Sequence, residues 1–472
     1  MSEKINLAVI GAGPGGYAAA FLAADLGMNV TLIDKEKNPG GVCLYRGCIP
    51  SKALLHVAKL LSETKEAKNW GIEFGKPKID LDKLREWKNQ IVEKLTGGVG
   101  TVAKYRNVNF VQGTATFKNS STLVIKKKEG EKEELKFDKI IIATGSRISS
   151  IPSLQIDSKR LLNSTTALDL PAIPESLLVI GGGYIGLELG SVYQALGSKV
   201  SVVEMLDGLL PGADRDLVSH LSKKLKEKFE SIMLNSKVVE MKEVKDGIQV
   251  KIQDAEGKTT ENTYDYVLMS IGRKPDTSGL GLENTKVKVN ERGWINVNNQ
   301  MKTDDPDIYA IGDIVGEPML AHKASHEGRV AVEVIAGHKS VFEPMAIPAV
   351  VFTDPEIAWA GLTENQAKEK KINYEVTKFP WAASGRAVTL DRSDGVTKIL
   401  VEPSTQRILG IGICGPGAGE LIAEGVLAIE MGANLTDLKL TIHPHPTLSE
   451  TMMEAAEVFF GQSTHVYRPK KG

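Results

Sequence analysis

Hydrophobic positions in this chain come in short unbroken runs that end in glycine, and the first run sets the pattern. Ile5-Asn6-Leu7-Ala8-Val9-Ile10 is apolar at nearly every position, which predicts a strand covered on both faces, as in a parallel sheet. Gly11-Ala12-Gly13-Pro14-Gly15-Gly16 comes next, and the alanine-rich stretch to about Leu26 predicts a helix. A second apolar run, Asn29 to Ile33, ends at Asp34. The same succession recurs as Leu177 to Ile180, then Gly181-Gly182-Gly183-Tyr184-Ile185-Gly186, then Lys199 to Val203 ending at Glu204. First glycine and acid stand 23 positions apart in both copies, 34 minus 11 and 204 minus 181.

This order of strand, turn, helix, strand and acid is what a dinucleotide site requires. The first glycine of each copy (Gly11, Gly181) turns tightly, and the second (Gly13, Gly183) lets backbone approach a pyrophosphate. The third (Gly16, Gly186) lets helix and strand pack closely, and the acid accepts from a ribose hydroxyl. Two such sites in one chain imply electron transfer between two cofactors.

Between the copies, Trp70 to Arg106 predicts charged helical segments and Val108 to Phe137 a set of hairpin strands, with the mixed-charge run Lys126 to Glu134 as a solvated tip. Asp138 to Ser146 predicts a strand that returns the chain to the edge of the first sheet, and Asp265 to Arg273 is its counterpart after the second copy. Ile308 to Asp313 predicts a strand ending in an aspartate that either accepts from flavin ribityl hydroxyls or caps a helix. From Ile347 onwards strand-like and helix-like segments alternate without a glycine fingerprint, which predicts a separate C-terminal domain.

Composition narrows the classes. At 472 residues the chain needs several domains, and a net charge of −1 with dispersed basic residues argues against nucleic-acid binding. No uncharged apolar run reaches the ~20 residues of a bilayer span, and Met1 leads almost directly into a strand, so a cytoplasmic protein with no membrane span is expected. Three cysteines, one necessarily unpaired, do not make a disulfide scaffold.

Two of those cysteines concentrate the chemistry. Cys43 and Cys48 lie in Gly40 to Lys52, beside a helix that Pro50 can open. As a staple, so short a ring would contribute only about 2 kcal/mol, which leaves redox cycling as the better reading. No further ligand has zinc-like spacing, so no metal site is expected. The pair comes directly after the first glycine loop, which places a flavin there, because a nicotinamide does not readily reduce a disulfide without an intermediate carrier. Far along the chain, His443 and His445 are fixed between prolines, and Glu450 stands five positions after His445. An imidazole oriented by a carboxylate suits a base that takes a proton from a thiol, although proline-flanked histidines are commonly plain turn residues.

These motifs resemble the pyridine nucleotide-disulfide oxidoreductases over essentially the whole chain, and among them the members that oxidise dihydrolipoamide. The stretches that carry the resemblance are Gly40 to Lys52, Gly181 to Gly190 with Val202 to Met205, Ala310 to Gly328, Phe379 to Ala387 and Ile442 to Glu450. The fold it implies is α/β, with two Rossmann-like dinucleotide-binding domains, for FAD and NAD, and an α+β C-terminal dimerisation domain. The expected boundaries are 1–148 for the FAD domain, 149–274 for the NAD domain, 275–346 for a central domain that completes the FAD site, and 347–472 for the dimer interface.

Carried over by position, Cys43 is the thiol that exchanges with substrate and Cys48 the thiol against the flavin. Lys52 pairs with Glu188 near the flavin, and Tyr184 is a ring over it. Gly11, Gly13, Gly16, Asp34, Lys52, Ala115, Asp313 and Ala321 hold FAD, while Gly181, Gly183, Gly186, Glu204 and Gly272 hold NAD. Glu204, with no arginine in the few residues after it, argues against a 2′-phosphate and so against NADP. His445 and Glu450 act across a homodimer on the partner subunit's cysteine pair. The implied partners are lipoyl domains and the acyltransferase core of 2-oxo acid dehydrogenase complexes, or the lipoyl protein of glycine cleavage. Some positions depart from the commoner pattern. Asp34 stands for the usual glutamate, Tyr45 and Arg46 occupy the cysteine ring, and Pro444 and Ser449 vary in the histidine loop. Arg46 either lowers a thiol pKa or points to solvent.

Overall fold

The computed structural model describes residues 4–467. Both apolar runs of the first unit form strands of a seven-stranded sheet. Its order is Ile308–Ala310, Lys139–Ile142, Asn6–Ile10, Asn29–Asp34, Asn109–Asn119, Thr122–Lys127 and Lys132–Lys136. The first five run parallel, and the last two join as antiparallel hairpins whose charged tip is exposed. Leu7, Val9, Leu32 and Ile141 are almost wholly buried, each worth about 1.5–3 kcal/mol relative to exposure.

The strand Lys139–Ile142 corrects one expectation. It lies inside the sheet, because Ile308–Ala310 pairs along its outer side with Ile308 opposite Ile140. Residues 275–346 thereby add the edge strand, and they also supply the helix Ala321–Ile335 that crosses Pro14–Asp25. That crossing is close: a Cβ on Gly15 would stand 2.9 Å from the Ala324 carbonyl oxygen, and one on Gly328 would stand 2.8 Å from that of Gly15.

The second unit forms a parallel sheet in the order Ser231–Met233, Lys199–Val203, Ser176–Ile180, Tyr266–Met269 and Leu161–Asn163, with a three-stranded antiparallel layer from Lys237 to Tyr264. Ser146–Ile148 and Arg273–Pro275 pair antiparallel where the chain enters and leaves this unit. Beyond residue 347 a five-stranded antiparallel sheet packs against Ala418–Glu430 and Glu450–Phe460. Among the described residues no helix is long and apolar enough to cross a membrane.

Candidate active site

The first glycine loop shapes one wall of a deep cleft. Gly11 has φ +95°, and a Cβ there would meet the Ala143 carbonyl oxygen at 2.4 Å. Gly13 faces open space, with only Gly41 Cα at 4.0 Å from its would-be Cβ. The helix Pro14–Asp25 begins with no side-chain cap, which leaves its first N–H groups for an anion. Asp34 accepts from Ala12 N–H at 2.6 Å and from Glu36 N–H at 3.0 Å. Gly11, Gly13, Asp34, Cys43, Cys48, Lys52, Asp313 and Ala321 all line this one cleft. An acid at one end, uncapped N–H groups in the middle and a thiol pair at the other fit the ribose, pyrophosphate and redox ring of an FAD. Gly16 acts from behind, where a Cβ would come within 1.9 Å of the Gly11 carbonyl oxygen. Ala115 does not line the cleft; it is buried with Phe117, Leu123 and Ile125 in the apolar core beneath the hairpins.

The thiols sit on two helices, not one. Cys43 belongs to Gly41–Arg46, and Cys48 is the first residue of Cys48–Glu66. The second helix opens two residues before Pro50, which the first turn tolerates because its N–H would have no partner there. Cys43 and Cys48 both line the cleft, close enough for each to act on the other's ionisation. The neighbouring Cys43 thiol, outweighing desolvation and helped by the Lys52 charge, lowers Cys48 to about 7. The Cys48 neighbour and desolvation push Cys43 upward. In the reduced pair Cys48 is therefore the more readily ionised of the two.

Lys52 and Glu188 meet as expected, Nζ to Oε2 at 2.8 Å. Glu188 is buried and also accepts from Ser51 Oγ at 3.1 Å and from Phe352 N–H at 3.0 Å, while Lys52 Nζ lies 4.5 Å from the Phe352 ring centre. Arg46 lines the cleft with both cysteines, and its guanidinium pairs with Glu36, two positions after Asp34. Tyr45 exchanges hydrogen bonds with the backbone of Asn38, at 3.1 and 3.2 Å.

Asp313 accepts from Ser146 Oγ, and Arg273 donates to the same Ser146 through Oγ at 2.7 Å and the carbonyl at 2.6 Å. Beneath this turn Glu327 accepts from Gly312 N–H at 2.7 Å and pairs with buried Lys323 at 2.7 Å. Sequence reasoning passed over Arg273, Ser146 and Glu327. The first two end strands it had singled out, and Glu327 carries no local signal.

The second loop repeats the first. Gly181 has φ +105°, a Cβ on Gly186 would lie 2.4 Å from the Gly181 carbonyl oxygen, and the surroundings of Gly183 and Gly272 are open. Glu204 accepts from Gly182 N–H at 2.6 Å and from Leu206 N–H at 2.8 Å. None of Gly181, Gly183, Gly186, Glu204 and Gly272 lines the thiol cleft, but Tyr184 and Glu188 do, from the helix Tyr184–Leu196. Burial pushes the Tyr184 hydroxyl up to about 12. This helix thus starts at one cradle and ends its first turns at the other.

His445 Nδ1 meets Glu450 Oε1 at 2.9 Å, and the other carboxylate oxygen accepts from Thr447 N–H at 2.7 Å. Burial pushes Glu450 upward, but the Thr447 N–H and His445 outweigh it and hold the carboxyl below its ordinary value. His445 is 73% exposed and does not line the cleft that holds Cys43 of its own chain. Nearby His443 is held by Glu424 at 2.7 Å. Leu427, Met431, Leu440 and Ile442 are exposed on the same domain, Ile442 at 95%. The carboxylates of Asp214, Asp216 and Glu364 converge, and what they surround is the ammonium of Lys398 at 2.8, 2.9 and 2.5 Å.

Residues 5–328 match the model of the pyridine nucleotide-disulphide oxidoreductases, and residues 347–456 match the dimerisation domain of the same family. The chain belongs to this family. A dihydrolipoyl dehydrogenase of Haemophilus influenzae is 50% identical over 469 residues, 99% of this chain and 97% of that one. One of Vibrio cholerae is 49% identical over 99% and 98% of the two chains. Among solved structures, LpdA of Mycobacterium tuberculosis superposes with a TM-score of 0.89 at 28% identity, covering 96% of this chain and 99% of that one. The HOCl-induced flavoprotein disulfide reductase RclA of Escherichia coli gives 0.85, also at 28% identity, over 96% and 99%.

Proposed function

We propose that this chain oxidises dihydrolipoamide carried on a partner protein to lipoamide and reduces NAD⁺ to NADH. The observation that carries this is the Cys43 and Cys48 pair at the floor of the first cradle, joined through Lys52 and Glu188 to the helix that leaves the second. FAD and NAD are the cofactors of this family, and the chain carries its dimerisation domain.

The steps rest on thiol chemistry. His445 of one subunit, oriented by Glu450, takes a proton from one dihydrolipoamide thiol at the cleft of the other. At neutral pH a free thiol of pKa ~8.5 is only a few per cent ionised, so this proton transfer supplies about 2 kcal/mol. The substrate thiolate attacks Cys43 Sγ of the oxidised pair, forming a mixed disulfide, and Cys48 leaves as a thiolate held by Lys52. Once His445 has passed the first proton to solvent it takes the second thiol's proton, and the resulting thiolate attacks the substrate sulfur of the mixed disulfide. The bond from that sulfur to Cys43 Sγ breaks, lipoamide departs with its new S–S bond, and Cys43 leaves as a thiolate that takes the proton back from His445. FAD supplies the two-electron link from the dithiol to NAD⁺. Asp34 and the loop Gly11 to Gly16 would hold FAD at the first cradle, with Asp313 and Ala321 at its middle. Ala115 would contribute only through its backbone. Gly181, Gly183, Gly186, Gly272 and Glu204 would hold NAD⁺ at the second.

In this reading residues 1–148 and 275–346 together form the FAD-binding part, 149–274 the NAD-binding part and 347–472 the interface of a homodimer. The exposed apolar side chains around Ile442 support such an interface, and a base lying outside its own chain's cleft supports catalysis across it. The partners are lipoyl domains of 2-oxo acid dehydrogenase complexes, with their acyltransferase core, or the lipoyl protein of glycine cleavage, in the cytoplasm.

The purified chain should reduce NAD⁺ with dihydrolipoamide, and His445→Gln should slow this by about 10²–10⁴-fold with flavin content unchanged. A higher rate with NADPH and oxidised glutathione would overturn the assignment of substrate, and near-normal turnover of the variant would overturn that of the base.

A further inference from the structure

Arg215 has no part in the site described so far. It opens the helix Arg215–Lys228, and its guanidinium turns back on the segment that leads out of Glu204. Nη1 donates to the Leu209 carbonyl at 2.7 Å, Nη2 to that of Leu210 and, at 2.6 Å, to that of Ala213, and Nε to Ala213 at 3.2 Å. Three carbonyls of one surface turn are held by one planar cation, through a fork of donors that a lysine lacks. Gly208 makes room for it, since a Cβ there would lie 2.7 Å from Nη1.

The turn held in this way is the outer wall of the second cradle. Leu210 N–H donates to the Gly182 carbonyl at 3.1 Å, and Leu209 Cδ2 lies 2.6 Å from where a Cβ on Gly182 would stand. Gly182 N–H and Leu206 N–H each hold one oxygen of Glu204. The direction of that carboxylate therefore depends on both the glycine loop and the turn. Met205 and Leu206 are 68% and 46% exposed, an apolar surface beside the acid on which a purine ring can lie. The footing of Arg215 is itself fixed, because Asp214 and Asp216 on either side bind the fully buried Lys398 of the C-terminal domain. Burial alone would lower the pKa of Lys398, but the three carboxylates outweigh it and hold it above its ordinary value.

We propose that Arg215 is a positioning residue for the adenosine half of NAD⁺, holding the turn Met205 to Ala213 against the glycine loop so that Glu204 faces the ribose hydroxyls. This rests on reading the second cradle as the NAD⁺ site. Four hydrogen bonds from Arg215 go to backbone carbonyls of the turn, which directs its guanidinium to the backbone and away from a 2′-phosphate, although it is a cation eleven positions after Glu204 (215 minus 204).

The test uses the flavin-loaded full chain and ADP-ribose, a probe that carries the adenosine half and no redox ring. Arg215→Met should weaken ADP-ribose binding by calorimetry, and raise KM for NAD⁺, about tenfold, with kcat within about twofold. KM for dihydrolipoamide, flavin content and the thermal midpoint should stay as in the parent chain. Arg215→Lys, which keeps the charge but lacks the planar fork, should recover only part of the lost affinity. Unchanged ADP-ribose affinity in Arg215→Met overturns the proposal, and so does a joint fall of kcat and thermal midpoint, which marks general support of the domain. A parent chain that binds no ADP-ribose, or prefers NADP⁺, overturns the reading of the cradle and the proposal with it.

Discussion

The two glycine cradles share one plan and differ in what the chain does next. In each, the second residue of the loop donates its N–H to the acid, Ala12 to Asp34 and Gly182 to Glu204, both at 2.6 Å. In each, that same residue's carbonyl accepts from the segment beyond, from Gly40 at 2.7 Å and from Leu210 at 3.1 Å. Beyond the first cradle the chain runs straight into Cys43, and Arg46 reaches back from the thiol segment to Glu36. Beyond the second it makes a surface turn held by Arg215. On the proposed function, one nucleotide-binding device is thereby fused to the reacting sulfurs, while the other only delivers and removes a ligand.

The sharpest way to break this comparison is to spoil one cradle at a time. A Cβ on Gly16 would come within 1.9 Å of the Gly11 carbonyl oxygen, and one on Gly186 within 2.4 Å of that of Gly181. Backbone cannot yield cheaply at such contacts, so each helix must lift from its strand at a cost of about 1–3 kcal/mol. Gly16→Ala should release flavin and lose turnover by about 10- to 100-fold. Gly186→Ala should keep the flavin, still be reduced by dihydrolipoamide in a single turnover, and lose NAD⁺ reduction to a similar extent. Absorbance of the purified chains and stopped-flow reduction measure both. Loss of flavin from Gly186→Ala would mean that the cradles are not independent.

A smaller effect tests the fusion of the first cradle to its sulfurs. The neighbouring Cys43 thiol and the Lys52 charge lower Cys48 to about 7, against the opposing effect of desolvation. A positive charge stabilises the anion, so removing it moves ionisation to higher pH. In the dithiol form, alkylation of Cys48 by iodoacetamide should therefore rise with a midpoint near pH 7, and Lys52→Met should move that midpoint upward. Glu188, left buried without its partner, adds to the shift. A midpoint unmoved by the substitution would remove Lys52 from the control of the thiol.

Much of this plan is legible in the sequence, because its parts are local. Strand, glycine loop, helix and acid fall within about thirty residues, and the spacing repeats. His445 and Glu450 sit five apart, close enough for one turn to bring them together. What is not legible depends on partners that meet only in the fold. An apolar run such as Lys139 to Ile142 announces burial on both faces but not which strand covers its flank, and that strand, Ile308–Ala310, comes some 170 residues later (308 minus 139). Arg46 is read from its neighbours as facing a thiol or solvent, yet Glu36 lies across the bend made by Gly40 and Gly41, whose φ values are +158° and +58°. Arg215 looks like an ordinary charged residue at a helix start until the carbonyls of the preceding turn are placed around it.

The Arg46 to Glu36 pair gives the finest test. It is the counterpart in the first cradle of the Arg215 clamp in the second, but it is partly exposed, at 31% and 22% of the two side chains, and holds one carboxylate where Arg215 holds three carbonyls. A pair of that exposure is worth about 0–1 kcal/mol, so Arg46→Met should weaken FAD binding by no more than about fivefold. The binding of ADP-ribose should not change, because the second cradle shares none of these contacts. Salt discriminates further, since screening weakens an exposed pair. The difference in FAD affinity between parent and variant should shrink as ionic strength rises, read from flavin released on dilution. A difference that persists in high salt would assign the effect to lost packing of the Arg46 stem against the cleft and not to its charge.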